Sequence, residues 1–248
     1  MPPKPLIAKG AVACPSALLG IAAFGLNSVN VQPVLTDKRS KGDPRPSQRD
    51  GGQSGQHAVA PCDLPQRQAP IVRALRSGER ELLMMRWGFP PLFIRGSKPR
   101  NPYLTNVRNT DSRYWQTHLQ KPFNRCLVPV TSFAEPDNNQ GPKSLWTWFA
   151  HDESRPLMFF AGMWRKWEGN RGTKVAPDIG RHSVFSFLTT DASPDVAPIH
   201  PDATPVILLD EAARETWMTA PWEIARELQR PPPAGALKIV ATASKDDP

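Results

Sequence analysis

Cysteine is scarce and scattered in this chain. Cys14, Cys62 and Cys126 stand far apart, with no C-x-x-C pair and no Cys/His cluster at ligand spacing. That argues against a structural zinc site, and the low, odd count fits a reducing compartment. No Ser/His/Asp order and no metal-ligand spacing stands out, which speaks against a serine or metal protease. No hydrophobic run is long enough to span a bilayer. Residues 11–26 are mostly apolar with Lys4 and Lys9 ahead of them, and Ala-Val-Ala before Cys14 is a loose lipoprotein-like match. The run is nevertheless short, rich in small residues and interrupted by Pro15. Long helices are disfavoured too, because the 248 residues include 29 prolines, which break the chain often. No internal repeat is visible.

What is present is basic and domain-sized. A net charge of +8 and a pI of about 9.7 favour a polyanionic partner. The length suffices for a full core. Residues 1–64 form a divergent N-terminal segment, within which 33–56 is rich in Gly, Ser, Gln, Asp and basic residues. Such a stretch cannot offset its ordering entropy by burial and is expected to lack order. The patterned domain is expected over 65–248. Alternating and aromatic runs predict strands at 69–73, 81–87, 126–130, 133–135, 145–150, 157–164, 183–189, 205–208 and 237–241. Helices are expected at 111–119, 193–199, 210–218 and 222–229. Strands outnumber helices without regular alternation. The expected fold class is therefore α+β: a curled, mostly antiparallel β-sheet (a pseudo-barrel) with flanking short helices.

Chemistry-bearing residues fall at several points. Glu135 lies among Phe133, Ala134 and Pro136. A carboxyl in apolar surroundings has a raised pKa and suits proton transfer; the plainer reading is a strand-end ion pair. His200, between Ile199 and Pro201, is either a proton carrier or a helix-terminal residue bonded to free carbonyls. Asn106 and Arg108 occupy a polar loop, where they orient an oxygen and clamp a phosphate, or simply make a turn. Arg113 is a further phosphate candidate. Trp87 either offers a ring for base stacking or fills the core. No obvious nucleophile accompanies this set.

The motifs Arg86-Trp87-Gly88-Phe89-Pro90, Asn106-Val107-Arg108-Asn109, Arg125 through Glu135, Leu188-Thr189-Thr190, and Ala197 through Leu208 occur in this order. Together they closely resemble the SOS-response-associated peptidase family, proteins that process abasic sites and shield damaged single-stranded DNA. The resemblance implies single-stranded DNA containing abasic sites as partner, no metal and no organic cofactor. It also implies a monomer without membrane attachment, in the cytoplasm with the nucleoid. It implies that an N-terminal cysteine attacks the ring-opened sugar aldehyde and closes a thiazolidine, using its thiol and its α-amine, whose pKa lies near ~8. The family's glutamate, histidine and asparagine match Glu135, His200 and Asn106 as catalytic residues. Trp87, Arg108 and Arg113 would bind DNA. The chain departs from the family's Met-Cys start, because residue 2 is Pro2. Four readings follow: a misassigned start or frame, an inactive DNA-binding relative, processing that exposes Cys14 or Cys62, or Pro2 as a secondary-amine nucleophile.

Overall fold

The computed structural model describes residues 12–13, 68–90, 103–137, 145–172 and 174–243. The stretch 33–56 lies outside them. Eleven strands run in chain order among the described residues. They are β1 (Val12–Ala13), β2 (Gln68–Ala74), β3 (Arg80–Trp87), β4 (Asn106–Val107), β5 (Arg125–Val130), β6 (Phe133–Pro136), β7 (Trp146–Ala150), β8 (Met158–Asn170), β9 (Ile179–Thr190), β10 (Thr204–Pro205) and β11 (Lys238–Ala243). Helices α1 (Arg113–Leu119), α2 (Glu211–Thr219) and α3 (Trp222–Ala225) are short.

The main sheet follows the order β10-β9-β3-β2-β5-β8, and β8 pairs back onto β9 from Gly162 to Asn170. Five strands thereby close into a barrel, the α+β pseudo-barrel expected from the sequence. Two of its pairings, β3 with β9 and β4 with β9, are parallel; the other ladders are antiparallel. A second sheet, β1-β6-β7-β11, lies beside it.

Strict alternation sorts the barrel strands onto two faces. Val72, Leu82, Leu127, Phe159, Val184 and Leu188 face the helices, packing with Trp115, Leu119, Trp217 and Trp222. Trp217 is fully buried and its indole N–H donates to the carbonyls of Cys126 and Gly162, tying α2 to β5 and β8. The other face carries Ile71, Met85, Trp87, Val128, Phe160, Phe185 and Phe187, and meets Phe133 and Phe149 of the second sheet. There an aromatic column runs from β6 to β3. Phe133 stands 5.6 Å from Phe160, Phe160 is 5.3 Å from Phe187, and Phe187 is 5.5 Å from Trp87 between ring centroids.

Two expected helices are shorter than their patterns. Residues 193–199 form consecutive turns, closed by Val196 N–H to the Ser193 carbonyl and His200 N–H to the Val196 carbonyl. Pro198 has no N–H with which to continue a helix. The pattern at 222–229 splits into α3 and a 3-10 turn, Arg226–Leu228. The strand expected at 205–208 reduces to β10 plus a single bridge between Ile207 and Phe160. Asp210, by contrast, caps α2 as its side chain allows, accepting from Ala213 N–H at 2.7 Å.

Candidate functional site

Glu135 is the third residue of β6. It shares the face of Phe133, and therefore stands at one end of the aromatic column. Only 1% of it is exposed, and its Oε2 atom has no hydrogen-bond partner. His200 comes from the loop between β9 and β10 and is equally buried. Its Nδ1 lies 3.9 Å from Glu135 Oε2 and 3.3 Å from the Ala203 carbonyl oxygen. Acid and imidazole, 65 positions apart in sequence, are thus brought within reach of one another. At 3.9 Å they are not hydrogen-bonded; a small shift or a bridging group would couple them.

Burial pushes the Glu135 carboxyl well above its ordinary value of 4.5, and the neighbouring Asp202 carboxylate pushes it further. This is the direction its apolar neighbours suggest. The group therefore keeps its proton at a pH where an exposed glutamate has lost it. Asp202→Asn removes the smaller of the two causes. It is expected to lower the Glu135 pKa while leaving it above the ordinary carboxyl range, a change to be read by carboxyl-carbon NMR across a pH series.

Asn106 opens β4, opposite Phe187 of β9 in parallel register, and so shares the face of Phe187. Both atoms of its amide are buried without a hydrogen-bond partner. The hydroxyls of Ser132, Thr189 and Ser193 are buried and unpartnered as well. Thr189 lies two residues beyond Phe187 on the same face of β9. Buried polar atoms are ordinarily satisfied, so these orphans, with the unpartnered Glu135 oxygen, are candidates to meet a polar occupant. Thr189 and Ser193 were not singled out in the sequence. The Leu188-Thr189-Thr190 motif stands out there, but its alternation alone does not say which threonine turns inward.

Backbone from the distant N-terminus reaches the same strand. Val12 pairs with Ala134, and Ala13 with Phe133, so β1 lies along the edge of β6 next to Glu135. The residues on either side of this pair, Cys14 included, are outside the described ones.

The expected DNA-binding residues fare differently. Trp87 is 9% exposed, its ring stacks on Phe187, and its N–H donates to the Thr105 carbonyl at 2.9 Å. Its ring packs within the core between the two sheets. Arg108 is half-exposed, but its guanidinium is engaged within the chain. Nη1 donates to the carbonyls of Thr190 at 2.6 Å and Asp202 at 3.0 Å, and Nη2 pairs with the Asp191 carboxylate. Arg113 is exposed at the start of α1. Cys126 lies within β5, fully buried, with its thiol held well above the ordinary range by burial. It is a core residue and offers no accessible thiolate. Among the described residues no group of three or more His, Cys, Asp or Glu is placed to hold a metal ion. No helix among them is long and apolar enough to cross a membrane.

Comparison with known proteins bears on the family and the fold. Residues 48–245 match the family model described as SOS response associated peptidase (SRAP). The abasic site processing protein HMCES of Gallus gallus is 27% identical over 183 residues, which cover 67% of this chain and 54% of that protein. The chain thus spans about half the length of this curated relative. A crystal structure of a Bordetella bronchiseptica protein superposes with a TM-score of 0.54 at 24% identity, covering 75% of this chain and 88% of the other. One from Bacteroides thetaiotaomicron gives 0.52 at 20% identity, covering 69% and 72%. These two likenesses concern the fold.

Proposed function

Because the chain belongs to the SOS response associated peptidase (SRAP) family, we propose that it processes abasic sites in single-stranded DNA, with Glu135 and His200 handling the protons. The observation that carries this reading is the buried carboxyl, with an unpartnered oxygen, 3.9 Å from a buried imidazole. The name of the Gallus gallus relative supports the substrate class.

Chemically, an abasic deoxyribose must open its ring before its aldehyde can react. A neutral carboxylic acid donates a proton to a sugar oxygen, and an imidazole accepts one from the opposite hydroxyl. Glu135, kept protonated by burial, suits the first role, and the buried imidazole of His200, 3.9 Å away, is placed for the second. Asn106 and Thr189 have free donors and acceptors with which to orient the sugar. Attack on the aldehyde requires an amine or thiolate. Cys126, fully buried with its thiol held well above the ordinary range, cannot supply the thiolate, so a thiolate nucleophile would come from outside the described residues.

The test uses a single-stranded oligonucleotide bearing one abasic site, beside the same oligonucleotide bearing the uncleavable tetrahydrofuran analogue. The proposal expects the protein to form a heat-stable adduct with the first, or to cleave it, and to leave the second intact. His200→Gln should slow the reaction by about 10²–10⁴-fold, the usual contribution of a proton-transferring side chain. Binding of both oligonucleotides without any reaction would instead establish a non-catalytic single-strand binder.

A further inference from the structure

The loop that delivers His200 leaves the barrel at Thr190 and returns at Thr204, where the two-residue ladder Thr204–Thr190 and Pro205–Thr189 and the Val206 N–H to Leu188 carbonyl bond close it. One guanidinium sits across its neck. Arg108 donates to the Thr190 carbonyl and pairs with Asp191 on the outgoing side, and donates to the Asp202 carbonyl on the returning side. The geometry points to Arg108 as a positioning residue: it clasps the two ends of this loop and so fixes the distance of His200 from Glu135.

Four observations converge on this role. First, the three acceptors flank the loop, two at its start and one two residues after His200, so the contacts bridge the loop and do not merely anchor one end. Second, the residue after Asp202 supplies the carbonyl on which His200 Nδ1 rests, so a shift of the returning strand moves the imidazole directly. Third, Arg108 directly follows β4 (Asn106–Val107), two residues after Asn106. The side chain that turns into the pocket and the one that holds the loop are thereby registered together. Fourth, Arg108 is itself fixed at its backbone, because its carbonyl accepts from the Gln229 side chain at 2.8 Å. Ser193 N–H also reaches across the loop to the Thr204 hydroxyl, while Asp195 accepts from the N–H groups of Gly235 and Leu237 and holds its far side. Arg108 adds the contacts at Asp191 and Asp202 themselves. A planar fork with several fixed donors suits a three-acceptor clasp, and a lysine ammonium does not reproduce it.

This deepens the reading proposed above by naming what holds its imidazole, yet its test needs neither DNA nor activity. Amide hydrogen exchange is measured on the full chain for wild type, Arg108→Ala, Arg108→Lys and Asp191→Asn. Arg108→Ala is expected to speed exchange at Val196, Ala197, Ile199 and His200 by at least about tenfold, a local opening with the rest of the barrel closed. The paired amides of β8 and β9 should stay within about twofold. Arg108→Lys should resemble Arg108→Ala, and Asp191→Asn should give a smaller change in the same direction. Millimolar methylguanidinium, but not methylammonium, should restore protection to Arg108→Ala, a rescue that a general loss of stability would not show. Unchanged exchange in the loop, or equal acceleration throughout the barrel, overturns the assignment. A parallel salt titration of single-strand binding tests the direct alternative. If Arg108 held a phosphate, the log–log slope would become shallower by about 0.7 in Arg108→Ala; the clasp predicts no change. Complete absence of DNA binding in wild type would refute the proposed function while leaving the exchange result to decide the clasp.

Discussion

Glu135→Gln is expected to lower the rate of abasic-site processing by about 10²–10⁴-fold and, at alkaline pH, to make the protein more stable than the wild type. The two effects share one cause. A carboxyl that is 1% exposed, with an unpartnered oxygen and an aspartate nearby, is held protonated. In the unfolded chain it titrates near its ordinary value of 4.5, and in the folded chain well above it. The folded state therefore binds this proton more tightly. Its contribution to stability is fully present below pH 4.5 and is lost as the pH rises through the folded pKa. Glutamine mimics the neutral acid and has no proton to lose. Denaturant unfolding at pH 4 should find variant and wild type nearly equal. At pH 8 the variant should be ahead, because the wild type has lost the contribution of this proton. Reduced stability at both pH values would mean that Glu135 serves the fold and not the chemistry. A gain in stability coupled to a loss of reaction is what a site strained for function should show.

Trp87→Ala is expected to cost about 3–5 kcal/mol of stability, the range for removing a large aromatic from a packed core. Its ring ends the column Phe133–Phe160–Phe187–Trp87, and its N–H holds the Thr105 carbonyl just before Asn106. The cavity would open next to β4. Loss of the hydrogen bond would also free the segment that leads Asn106 into the pocket. Thermal unfolding should show the drop directly. Single-strand affinity, measured below the unfolding temperature and corrected for the folded fraction, should stay within about twofold. A large loss of affinity with little loss of stability would restore Trp87 to the role of a base-stacking platform.

The contrast between Glu135 and Trp87 shows what the sequence can reveal. Strands built on aromatic and β-branched runs were legible because period-2 alternation is local: β2, β3, β5 and β8 begin within a residue or two of the expected positions. Barrel closure was legible only as a class. The parallel pairing of β3 and β4 with β9 depends on contacts about 80 to 100 positions apart that no local pattern encodes. The turn at 193–199 reads as a helix on apolar spacing, but Pro194 and Pro198 divide it into separate turns. At the site, the raised pKa of Glu135 was legible from its apolar neighbours. The 3.9 Å approach of His200 was not, because it is set by how the loop folds back on the barrel. Arg108 shows the same limit from the other side. An arginine in a polar loop of a basic protein suggests a phosphate, and only the coordinates reveal two carbonyls and a carboxylate already around it.

The most direct test is to follow the Glu135 side-chain carboxyl by carbon NMR through a pH titration, alone and with a single-stranded oligonucleotide carrying one abasic site. A proton handler in a DNA-reading pocket should titrate well above other glutamates. Its signal should shift with the abasic oligonucleotide and hold still with the intact one. A carboxyl that titrates like an exposed glutamate, near ~4.3, and ignores both oligonucleotides would contradict the account.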